Sequence, residues 1–138
     1  MNKEIEAAVK WWTDTLRNGA KQDNGDPMCN MMALFCASTM KPLTDTQLDA
    51  FSKELTEQLR TQLSKTWDPS RPTFGSALNT LDCDYGPNAM LSAAAIKAGI
   101  ATCCPPFPMK TCMWIMPGTV EVRYGYRADT ETVYQETN

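Results

Sequence analysis

The stretch Phe107-Pro108-Met109-Lys110-Thr111-Cys112-Met113-Trp114-Ile115-Met116-Pro117-Gly118-Thr119-Val120-Glu121-Val122-Arg123-Tyr124-Gly125-Tyr126 reads as a β-hairpin, and its register organises the rest of the chain. Pro117-Gly118 is a turn signal, with Pro presetting φ at the second turn position and Gly supplying positive φ at the third. An even loop centred there sets Ile115 opposite Val120, Met113 opposite Val122 and Thr111 opposite Tyr124. That side is apolar enough to seal onto a core. The other side pairs Trp114 with Glu121 and Cys112 with Arg123, and Lys110 stands at its entrance. Cations beside an exposed indole suggest a planar, anionic ligand. A shift of one residue would exchange the faces and make Trp114 core instead.

Working back from the hairpin, Ile5, Val9, Trp12 and Leu16 form the seam of an amphipathic helix from about Asn2 to Asn18, stopped by Gly19, with Trp11 off the stripe. The loop Lys21 to Pro27 feeds an oily segment, Met28 to Met40, with little polar face, which is either central or lies at a subunit contact. Thr44 and Gln47 make a capping-box signature that opens a third helix, striped by Leu48, Phe51, Leu55, Leu59 and Leu63. Thr66 to Gly75 is too rich in breakers for regular structure. Leu81, Cys83 and Tyr85 alternate with Asp82 and Asp84 as a short strand. Pro87 suits the first position of a helix that closes at Gly99. Thr102 to Pro108, with its three prolines, must be extended.

The expected fold class is α+β, N-terminal helices packed on a small antiparallel sheet of about three strands that ends in the C-terminal β-hairpin. A single domain spans 1–138, with a helical half 1–66, a strand-helix-hairpin half 76–126 and a polar tail 127–138.

A net charge of −3 and a pI of about 4.9 make broad capture of DNA or RNA unlikely. No apolar run approaches the roughly 20 residues of a membrane span, and Met1 to Lys10 lacks a signal-peptide core, which reads as cytoplasmic. The six cysteines then read as reduced thiols. With no histidine and no C-x-x-C pair, neither a structural metal nor a His-based nucleophile pair is expected, and no cofactor is assigned.

Asp82 and Asp84 share one strand face and could act as paired carboxylates or hold Mg²⁺, although such pairs are commonly the solvent face of an edge strand. Tyr85-Gly86-Pro87-Asn88 sets a helix N-terminus behind a strand, which offers N–H groups to an anion but reads more readily as a Pro-initiated helix start. The candidate ligand-binding residues are therefore Lys110, Trp114 and Arg123, joined by Tyr126, Arg127 and Asn88. The methionines of the second segment point to a homo-oligomer.

Asp84-Tyr85-Gly86-Pro87-Asn88, Phe107-Pro108-Met109-Lys110-Thr111, and Met113-Trp114-Ile115 followed by Val120 to Tyr126 resemble small phage proteins that block bacterial immunity, in particular the anti-Thoeris sponge family. The resemblance implies a viral, non-enzymatic oligomer in the host bacterial cytoplasm. It would sequester a cyclic nucleotide signal of the cyclic ADP-ribose type without cleaving it. The alternatives are a protein-blocking inhibitor such as an anti-CRISPR, and a carboxylate-dependent enzyme centred on Asp82 and Asp84.

Overall fold

A computed structural model describes residues 1–19, 27–37, 41–103, 106–125 and 129–137. Its elements are α1 (Asn2–Asn18), α2 (Pro27–Ala37), α3 (Asp45–Leu63), β1 (Thr80–Cys83), α4 (Ala89–Ala98), β2 (Thr111–Met116), β3 (Thr119–Arg123) and β4 (Thr130–Gln135). The four strands form one antiparallel sheet in the order β1-β2-β3-β4. The α+β expectation holds, but the sheet runs one strand past the hairpin.

Local chemistry accounts for the helix ends. The Thr44 side chain accepts the Gln47 N–H while the Gln47 side chain accepts the Thr44 N–H, closing the capping box at the start of α3. Helix α4 is capped by Asn88, whose side chain accepts the Leu91 N–H, and not opened by Pro87. Pro87 instead lies in an extended bridge opposite Cys83, so the helix starts two residues later than its proline suggested.

The hairpin register is as the turn dictates: Cys112 opposite Arg123, Met113 opposite Val122, Trp114 opposite Glu121 and Ile115 opposite Val120. Strand β3 ends at Arg123, and Tyr124 departs to pack edge-on against Trp11, ring centroids 5.5 Å apart, so it does not pair with Thr111. Tyr85 also leaves the expected alternation; β1 ends at Cys83 and Tyr85 is 66% exposed.

Alternation along β2 buries Thr111, Met113 and Ile115 and leaves Cys112, Trp114 and Met116 half-buried. Leu81, Met113, Ile115, Val120 and Val122 form the inner face of the sheet and join the stripes of α1, α3 and α4 in one core. At its centre Phe107 meets Trp12 and Phe51, with ring centroids 6.4 and 6.1 Å apart. Helix α2 differs. Its Met28, Met31, Leu34 and Phe35 are exposed, so these residues are not central; Met40, at the end of the oily segment, falls outside the described residues.

Candidate functional site: the outer face of the sheet

Because side chains alternate across a strand, the residues that complement the buried set gather on the opposite face of the sheet. Two cross-strand rows result. One runs Asp82, Cys112, Arg123, Thr130; the next runs Thr80, Trp114, Glu121, Thr132. Asp82, Arg123, Thr130 and Thr132 are exposed, while Trp114 is half-buried at the middle of the face.

Beyond the first row the face opens into a groove of about 660 Å³ lined by Asp82, Asp84, Lys110, Cys112, Arg123 and Gly125. Lys110 holds a left-handed backbone, φ 56°, directly before β2. This turn carries its ammonium back to Asp84, where Nζ donates to Oδ1 at 2.5 Å, and places it 4.0 Å from the centre of the Tyr85 ring. The hydrogen bond to Asp84 holds the ammonium above its ordinary pKa, against a smaller effect of burial, and Tyr85 reinforces it. Burial pushes the Cys112 thiol up, the Asp82 carboxylate adds to the push, and Arg123 opposes it. Cys112 therefore sits as a neutral thiol at neutral pH, not as a nucleophilic thiolate. The Arg123 guanidinium makes no hydrogen bond or ion pair among the described residues.

Of the six residues expected to bind a ligand, the structure brings Lys110 and Arg123 to one groove and sets Trp114 one row away. Asn88 lies elsewhere. Its Nδ2 donates to the Thr80 carbonyl at 3.0 Å and to Asp82 Oδ1 at 3.2 Å, and its Oδ1 caps α4, so its side chain is committed to the outer edge of β1. Tyr126 and Arg127 fall outside the described residues. Asp82 and Asp84 both border the groove, but Asp84 is tied to Lys110, and the described residues contain no cluster of three groups suited to holding a metal ion. Sequence reasoning missed Thr130 and Thr132, because they belong to β4, whose strand signal is broken by a bulge.

A helical layer on one side of a four-stranded antiparallel sheet, with a tryptophan-centred outer face, is the frame within which similarity to known proteins is informative. The BTG family model matches residues 28–135, and the chain belongs to the BTG family. The solved C. elegans FOG-3 BTG/Tob domain, in a doubly substituted form, superposes with a TM-score of 0.64 at 17% identity, covering 99% of this chain and 83% of that one. At that identity the likeness concerns the fold alone. Comparison with curated proteins finds no sequence match.

These findings overturn the resemblance to the anti-Thoeris sponge family, and with it the viral, anti-defence, immune-evasion and nucleotide-sponge assignments. The motifs that suggested it, a Tyr-Gly-Pro-Asn turn and an aromatic hairpin, are local solutions to strand-helix and strand-strand connection that unrelated folds share.

Proposed function

We propose that this chain is a non-enzymatic protein-binding domain, and that the outer face of its sheet docks a partner protein around Trp114 and Arg123. The observation that carries this reading is the juxtaposition, in adjacent rows of one sheet, of a half-buried indole and an exposed guanidinium that has no ion-pair partner among the described residues. Trp and Arg are enriched among the residues that dominate protein interfaces, Trp through the large area it buries and Arg through its forked hydrogen bonds to carboxylates. The exposed guanidinium calls for a carboxylate on the partner, and the indole calls for an apolar socket beside it. Chemistry is served poorly by the same face, since the ammonium of Lys110 is neutralised by Asp84 and the Cys112 thiol is held protonated.

The test is quantitative affinity capture with wild type, Trp114→Ala and Arg123→Glu, followed by calorimetry on the purified partner. Truncating an interface anchor costs about 2 kcal/mol or more, about thirtyfold in Kd, while thermal melts of the variants stay close to wild type. A partner that binds both variants as tightly as wild type overturns the assignment.

A further inference from the structure

The two edges of the sheet are finished differently. On β1 the outward carbonyls of Thr80 and Asp82 are both taken by Asn88, from its Nδ2 at 3.0 Å and its backbone N–H at 2.8 Å. That edge is closed. Strand β4 uses only one side of its backbone for the ladder with β3. The Glu136 N–H donates to the Gly118 carbonyl at 2.8 Å, which turns the backbone groups of Gln135 outward; beyond the bulge, Val122 faces Glu131 across the ladder, which turns those of Thr130 and Thr132 outward as well. All three residues are exposed.

The sequence of β4, Thr-Glu-Thr-Val-Tyr-Gln, is rich in β-branched and aromatic residues and holds neither Pro nor Lys, the usual guards of an exposed edge. Its charge has one sign. Asp129, Glu131 and Glu136 are exposed along it, and no basic residue occurs from Ala128 to Asn138.

We propose that β4 is a docking edge for an extended, basic segment of a partner protein, which adds to the sheet as a fifth strand. Main-chain hydrogen bonds supply affinity in such strand addition, and the acidic flank selects Lys- and Arg-bearing sequences. A second copy of this chain is the poorer occupant, because antiparallel pairing of two β4 strands brings two acidic stretches together without a cation between them. The edge is distinct from the Trp114 face and does not depend on it.

The experiment selects displayed short linear peptides on the full chain and measures the enriched peptides by fluorescence anisotropy. The expected winners alternate Lys or Arg with β-branched residues, and their amide shifts map to β4 by NMR. Thr132→Pro removes an outward N–H while sparing the ladder to β3, and weakens binding by about tenfold or more. Glu131→Lys combined with Glu136→Lys does the same and turns the preference toward acidic peptides. Circular dichroism checks that Thr132→Pro folds; if it does not, the charge reversal decides alone. Winners without basic enrichment, binding indifferent to the charge reversal, or a wild-type dimer that the charge reversal or Thr132→Pro alters would overturn the proposal, the last in favour of a second copy.

Discussion

Glu4, in the first turn of α1, accepts a hydrogen bond at 2.9 Å from the backbone N–H of Gly118, at the tip of the β2–β3 hairpin. The two residues are 114 positions apart, and Glu4 is only 5% exposed. The contact latches the hairpin turn to the first turn of α1.

Substitution of Glu4 by Ala should therefore destabilise the fold by about 1.5 to 3 kcal/mol, the range for a hydrogen bond to a charged group, because the Gly118 N–H is left with no acceptor. Glu4→Gln retains an amide oxygen and should recover part of the loss. Urea melts of the two variants measure the difference, and equal stabilities would show that the latch contributes nothing.

A pH-dependent element lies in the loop after α3. Hydrogen bonds from Ser70 and from Arg71 lower the Asp68 carboxyl to about 2. Since the folded value is depressed, the stabilisation is fully present above the unfolded value of 3.8 and is lost as pH falls through about 2. NMR titration of the Asp68 carboxyl carbon should show the low midpoint, and Ser70→Ala should move it upward.

Two glycines separate backbone strain from steric clash. Gly118 and Gly75 both have positive φ, 83° and 72°, but a Cβ on Gly118 would meet only ordinary contacts with Glu136, whereas one on Gly75 would sit 2.7 Å from the Cβ of Thr66. Gly118→Ala should cost about 1 to 2 kcal/mol from the left-handed conformation alone. Gly75→Ala must displace Thr66 as well, so its melting temperature should fall further. The opposite order in calorimetry would refute the assignment.

Trp12 is fully buried, and its indole N–H has no hydrogen-bond partner among the described residues. Trp12→Phe loses volume but also relieves that orphaned donor, so it should lie within about 1.5 kcal/mol of wild type. Trp12→Ala, with no compensation, should cost about 3 to 5 kcal/mol. Chemical denaturation of both variants checks the contrast.

What the sequence made legible was whatever is decided by neighbours in the chain. Pro117-Gly118 dictates its own turn, and the turn carries the register of Trp114 against Glu121; Thr44 and Gln47 cap each other within one helical turn. Strand β4 was hidden because it pairs with the flank of β3 across a bulge between Val120 and Glu121, which breaks the period-two pattern, and because four of its six residues, Thr130, Glu131, Thr132 and Gln135, are polar. Tyr85 misled for the opposite reason. It continues the sequence alternation of Leu81 and Cys83, but β1 ends at Cys83, and the Lys110 ammonium over the Tyr85 ring is a long-range contact without a local signature. The Glu4–Gly118 latch has no local signature at all. The family match, too, extends over residues 28–135, well beyond the hairpin from which the sequence was read.

Asn88 serves two elements at once, as the N-cap of α4 and as the occupant of the outward carbonyls of β1. A molecule with one unfilled edge can take up a single strand and is then complete. Were Asn88 replaced by Ala, the Thr80 carbonyl would lose its Nδ2 donor while the Asp82 carbonyl kept the backbone N–H of residue 88, so the β1 edge would open at one position only. The β1 edge is thus closed by two independent bonds from one residue, and only one of them is open to substitution.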